Sequence, residues 1–266
     1  MIEHKQISKS IERAQKKVEE NHFGVRKRLL EYDDVMNAQR KVIYARRRHA
    51  LMGERIGLDI VNMVYDAVAA LAEEFYGSND TEQFRHDMMR WFAIDVRLDE
   101  KASRQKIEDF TQQMFEAVMA AYQRKLDKFN ELAFPVIKNV YETQGKQYKN
   151  IIIPFTDGKL MYNIPVNLEE AYNSQGKAVM KAFQKTVLLH TIDNAWKEHL
   201  RELDELRQSV QNASYEQKDP LLIYKLESYN LFKKMVETIN YKAITVLMRV
   251  QLPVREGDAV REAAPE

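Results

Sequence analysis

Six histidines and 40 acidic side chains are the raw material for metal or proton chemistry in this 266-residue chain, and their spacing does not assemble it. A carboxylate-bridged di-iron bundle needs two inward-facing Glu-x-x-His motifs. Glu19-x-x-His22 is one, and no second is present. His190 and His199 lie nine residues apart on one expected helix, which suits hydrogen bonding better than a shared metal ion. Asp33 and Asp34 are adjacent, so on a helix they diverge by about 100° and favour salt bridges to neighbouring elements over joint chelation. The chain has no cysteine, which removes disulfides, thiolate zinc sites and cysteine nucleophiles and fits a reducing compartment. No Gly-x-Ser-x-Gly elbow is present, and neither G-x-G-x-x-G nor G-x-x-x-x-G-K-[ST] occurs among only 8 glycines. No catalytic residue, no metal site and no nucleotide site of those kinds is expected, and hence no cofactor in this chain.

Two features could make contacts rather than bonds. Arg46-Arg47-Arg48-His49, with Arg40 and Lys41 a turn or two earlier, could grip phosphate or an acidic surface; the same cations at a helix C-terminus would complement its dipole. Tyr215 lies in the short segment Ala213 to Lys218, where an amphipathic ring either touches a partner or folds back on its own hairpin. With 41 Lys+Arg against 40 Asp+Glu the net charge is +1, which argues against a dedicated nucleic-acid binder. Neither a signal-type N-terminus nor an apolar run of roughly 18 to 20 residues is found, so a soluble chain, not secreted through a cleaved signal, is expected.

The elements that must carry these residues are mostly helices, since Gly (8) and Pro (6) are scarce and strong helix formers abound. From Ser8 to about Ala50, Ile11, Ala14, Val18, Val25, Leu29, Tyr32, Met36 and Ile43 recur at three-and-four spacing, and a second row of Phe23, Leu30, Val35 and Val42 widens the stripe. A helix on the order of 60 Å long cannot be covered by one partner and must serve several. Gly24 marks a close contact, a bend or simple tolerance.

Residues 1 to 50 carry 13 basic and 7 acidic side chains, whereas 51 to 144 carry 11 and 17, so a basic spine precedes an acidic module. That module reads as three short helices: one from Ile60 to about Gly77, one capped by Asp80 or Thr81 with Phe84, Met88 and Trp91-Phe92 inward, and one from about Lys101 to Asn130. Ile151 to Phe155 and Leu160 to Ile164, joined through a two-residue Asp157-Gly158 turn, predict the one hairpin, which needs something to pack on. Two long helices follow. The first runs from about Ser174 to Asn212 with Phe183, Val187, Ile192, Trp196, Leu200, Leu203 and Val210 on one face. The second runs from Pro220 to about Gln251 with Leu222, Leu226, Tyr229, Phe232, Val236, Ile239, Leu247 and Val250 inward, and Asp219-Pro220 is its start signal. The expected fold is all-α, with one short inserted β-hairpin.

Ala14 to Glu19, then Arg26-Lys27-x-Leu29-Leu30-Glu31-Tyr32-Asp33-Asp34-Val35-Met36-Asn37-x-Gln39-Arg40, resemble the long scaffold helix of the SecA family, the motor subunits of bacterial preprotein translocases. Leu189-His190-Thr191-Ile192-Asp193-x-x-Trp196-Lys197-Glu198-His199-Leu200, Tyr215-x-Gln217-Lys218-Asp219-Pro220 and Tyr224-Lys225-x-Glu227 are similar to that family's two-helix finger. The resemblance implies a scaffold helix over 1–52, a helical wing over 53–144 and a two-helix finger over 174–252; the residues themselves predict a hairpin insertion over 145–173 and a disordered tail over 253–266. It further implies that Tyr215, with Ser214, Glu216, Gln217 and Lys218, meets the translocating polypeptide and the channel. Arg26, Tyr32, Asp33, Asp34, Gln39 and Arg40 would make interdomain scaffold contacts, and Trp196 and His199 would support the finger. The implied partners are the family's nucleotide-binding and preprotein cross-linking domains, a SecYEG-type channel, preprotein and an anionic membrane surface, with ATP and Mg bound only by the motor domains and no nucleic acid. The implied location is cytoplasmic, peripheral to the bacterial inner membrane. The Walker motifs and the terminal zinc-binding cysteines of many members are missing, and the hairpin departs from the family pattern. A free-standing helical adaptor or coiled-coil interaction protein is the rival reading.

Overall fold

A computed structural model describes residues 5–53, 55–98, 105–145, 147–210, 219–256 and 259–261. Seven helices and two small antiparallel hairpins make up the described residues: α1 (Lys5–Met52), α2 (Ile56–Ser78), α3 (Thr81–Phe92), α4 (Ile107–Gln144), β1 (Asn150–Thr156), β2 (Met161–Asn167), α5 (Leu168–Asn173), α6 (Lys177–Ser209), α7 (Pro220–Arg249), β3 (Val254–Glu256) and β4 (Ala259–Arg261). The fold is therefore all-α with an inserted hairpin. The chain divides into two compact units, one of Met1–Ala45 with Trp196–Lys234, the other of Arg46–Ala195 with Met235–Glu266.

α1 runs unbroken for 48 residues, about 72 Å at the helical rise. Gly24 does not interrupt it, and a Cβ there would meet nothing within 4 Å, so tolerance explains this glycine. In the second unit, α2 ends where Asn79 takes the left-handed conformation and donates its amide to the Phe75 carbonyl. Asp80 then caps α3 by accepting from the Gln83 amide at 3.0 Å. α2 packs on α3 and α4 around Phe75, whose ring lies 5.2 Å from Phe84 and 5.3 Å from Phe110, with Val68, Met88, Phe92 and Val118 buried around them. α4 is longer than expected, continuing through Pro135 to Gln144; along this extension Phe129 meets the Phe155 ring at 5.5 Å and Ile137 is buried.

β1 and β2 pair in register from Asn150↔Asn167 to Thr156↔Met161. That register leaves a four-residue loop, 157–160, in place of the expected two-residue turn. Its chemistry is local: one carboxylate oxygen of Asp157 accepts from the amides of Lys159 (2.9 Å) and Leu160 (2.7 Å), while Gly158 takes φ +82°. The hairpin packs through Phe155, whose ring lies 5.5 Å from Phe129 of α4 and stacks 4.5 Å from Phe183 of α6. Helix ends are closed by side chains from other helices: Lys125 donates to the Met248 carbonyl, and Arg249 donates to the Arg90 carbonyl at 2.8 Å. Burial, with help from Lys128, pushes the Lys125 ammonium down to about 8. The stretch after Pro253 was expected to be disordered; within it Val254–Glu256 pairs with Ala259–Arg261.

Phe155 is 1% exposed and bridges the hairpin to two helices. Phe155→Ala should therefore destabilise the protein by about 3 to 5 kcal/mol, read from denaturant midpoints, as large-to-small core changes at aromatic positions do.

Candidate functional site

Residues named in advance as scaffold and finger contacts meet in the first unit, where α1 lies against the start of α7 and the end of α6. Leu203, Val210 and Tyr224 are buried there, with Tyr32, Val35, Met36, Leu206, Ile223 and Leu231 packed on them. Tyr32, Val35, Met36 and Gln39 fall within two turns on one face of α1, which is why this stretch of helix is covered. The Tyr32 and Tyr224 rings are 4.8 Å apart. The Arg207 guanidinium sits 5.6 Å over Tyr32 and 3.9 Å from the Asp33 carboxylate. The salt bridge expected of the Asp33-Asp34 pair thus forms at Asp33, while Asp34 is exposed.

The polar centre of this junction is a three-residue relay. Gln39 donates from Nε2 to the Ser228 backbone carbonyl of α7 at 3.0 Å. Its Oε1 lies 2.8 Å from His199 Nε2 of α6. The orientation of the amide follows from the Ser228 carbonyl, which can only accept; Oε1 must then face the histidine, so Nε2 of His199 carries the proton and donates. The other ring nitrogen, Nδ1, is buried without a hydrogen-bond partner. Leaving an acceptor unpaired costs about 1 to 3 kcal/mol. Trp196 (5.6 Å) and Phe232 (5.8 Å) flank the imidazole, and Tyr44 packs edge-on to Trp196 at 6.4 Å.

Other named residues stand apart. Arg26 is exposed, and Arg40 turns back to Asn37 Oδ1 at 2.8 Å and Met36 Sδ at 3.8 Å on its own helix. Ser214, Tyr215, Glu216, Gln217 and Lys218 lie outside the described residues. The arginine run is largely occupied inside the second unit: Arg46 donates to Asn240 at 2.6 Å, and Arg47 makes a two-pronged pair with Asp193 at 2.7 and 3.1 Å. Burial lowers the pKa of Arg46, with Asp59 and Asp66 opposing. Among the described residues no group of three potential ligands could hold a metal ion, and no helix is long and apolar enough to cross a membrane. Ser228 was missed by the sequence reading. A small polar residue four positions from Tyr224 and four from Phe232 was its signal. The expected inward face of α7 is corrected at its first turns: Leu222, Leu226 and Tyr229 are exposed, because Tyr224 and Ser228 face α1 instead.

Burial holds the His199 imidazolium down at about 4. The unfolded chain binds that proton near the ordinary value of about 6.5, so between the two values it binds more protons than the folded chain, and stability is lost as pH falls through this window. Melting temperature measured against pH should therefore decline from about pH 6.5 to about pH 4, and His199→Phe should lack this component. Parallel profiles for the two proteins would contradict it.

Residues 1–251 match the family model described as the SecA Wing and Scaffold domain. Similar proteins include the protein translocase subunit SecA of Phocaeicola vulgatus, 60% identical over 267 residues that cover 100% of this chain and 24% of the relative. That of Porphyromonas gingivalis is 56% identical over 263 residues, 98% of this chain and 24% of the relative. That of Christiangramia forsetii is 46% identical over 264 residues, 99% of this chain and 24% of the relative. The chain spans about a quarter of the length of these relatives. With scaffold-type and finger-type helices joined at Gln39 and His199 and a family model matched almost end to end, the chain belongs to the SecA family, as its wing and scaffold region.

Proposed function

We propose that this chain is the non-catalytic scaffold, wing and finger of a SecA-type motor, coupling ATP-driven movement of motor domains outside this sequence to the passage of preprotein into a SecYEG-type membrane channel. The observation that carries this reading is the first half of α1. Every described side chain from Gln6 to Leu30 is exposed, including Ile7, Ile11, Val18, Phe23, Val25, Leu29 and Leu30 at 45 to 63%. An apolar row that long, continuous with the covered seam at Tyr32 to Gln39, is a surface for other parts of a larger protein. The nucleotide-binding and preprotein cross-linking domains implied by the family resemblance would supply them, together with ATP and Mg. On this reading the protein works on the cytoplasmic side, held peripherally at an anionic inner-membrane surface, without nucleic acid, and the fingertip around Tyr215 meets the polypeptide.

Two measurements test this. The purified chain should release phosphate from ATP at the background rate, and steady release above it would refute the non-catalytic assignment. In the full-length motor, Tyr215→Ser should cut preprotein translocation while leaving the melting temperature near that of the parent. Losses of translocation and of folding in equal proportion would remove the contact role.

A further inference from the structure

We propose that Gln39 sets the axial register of α1 against α6 and α7, making the Gln39–His199–Ser228 relay the point at which movement of the scaffold helix is passed to the finger. The inference rests on the coupling role proposed above and names the residues that carry it.

Ile11, Val18, Val25, Tyr32 and Gln39 recur at intervals of seven along α1. The first three are exposed, Tyr32 is half-buried and Gln39 is buried, with Ile43 buried one turn further on, so the covered part of the seam carries one polar residue between apolar ones. Apolar packing around Leu203, Val210 and Tyr224 is non-directional and lets one helix slide along another with little change in buried area. Hydrogen bonds are directional: each weakens steeply when its donor and acceptor are displaced. A single buried polar side chain on an apolar seam is a known way to fix helix register, at a cost in stability. Here that cost is visible as the unpaired Nδ1 of His199, which a purely apolar junction would avoid. Gln39 is also suited to the task by its two ends. The amide nitrogen holds the backbone of α7 and the amide oxygen holds the side chain of α6, so displacing α1 strains both finger helices at once. Neither bond has water at hand to replace it, since Gln39 is 9%, His199 1% and Ser228 0% exposed.

The test uses the full-length translocase subunit that contains this chain, with preprotein protected inside channel-bearing inverted membrane vesicles measured per ATP hydrolysed, alongside melting temperature. Gln39→Leu should lower the preprotein-to-ATP ratio at least about fivefold, the low end of the range for coupled sites. His199→Gln should keep the ratio within twofold of the parent, roughly, because its amide can still donate to Gln39 Oε1. The double variant Gln39→Leu/His199→Phe removes both polar partners and should recover the parent's melting temperature or exceed it, yet remain uncoupled. A double variant with the parent's ratio would reduce the relay to a structural contact and overturn the proposal, as would equal ratios for Gln39→Leu and His199→Gln, a comparison that decides the matter if the double variant does not fold. An unsubstituted protein that moves no preprotein would overturn the proposed function itself, and this inference with it.

Discussion

A helix of 48 residues cannot cover its own apolar stripe. Local propensity is enough to build α1, but each apolar side chain along it gains free energy only where another surface excludes water. The two compact units answer this constraint in different ways. In the first, Tyr32, Val35 and Met36 are sheltered by Leu203, Leu206 and Tyr224, and the turns before them stay in water. In the second, Ala50 is buried in the unit built from the end of α1, α2 to α5, the first half of α6 and the later turns of α7. The exposed turns from Gln6 to Leu30 keep the same apolar chemistry, and among the described residues nothing buries them.

The two units also differ in the forces that hold them. The second is dense in aromatic contacts, with Phe75 among Phe84 and Phe110, Phe155 between Phe129 and Phe183, and Trp91 on Tyr241 at 4.2 Å. It also closes helix ends with charged donors, as Arg249 does at the Arg90 carbonyl. The first relies on a smaller apolar core and one buried polar relay.

Much of this was legible in the residues. Six of the seven helices, the Asp80 cap, the inserted hairpin and the buried face of α6 through Phe183, Val187, Ile192, Trp196 and Leu203 follow from periodicity and turn chemistry; the six-residue α5, too short to show a helical period, does not. The failures have two causes, distant partners at α7 and at the arginine run and a local carboxylate at the hairpin loop. Leu222, Leu226 and Tyr229 form as good an apolar row as the one the helix buries, so hydrophobicity alone cannot choose between them. The choice falls to Tyr224 and Ser228, whose partners Tyr32 and Gln39 come from about 190 residues earlier. Asp157-Gly158 pointed to a two-residue turn, and the Asp157 carboxylate, by accepting two amides, settled on a longer one. The arginine run Arg46 to Arg48 looked available for phosphate until Asn240 and Asp193 were brought beside its first two members.

What the sequence determined by itself was the long helices, the inserted hairpin and the resemblance to the SecA scaffold and finger, because these rest on patterns within tens of residues. Only the tertiary structure decided that Gln39 and His199 share a proton donor and acceptor, since 160 residues separate them and neither type predicts its partner. Hydrogen bonds over such separations depend on where folding places two backbones, and composition and periodicity carry no information about that placement.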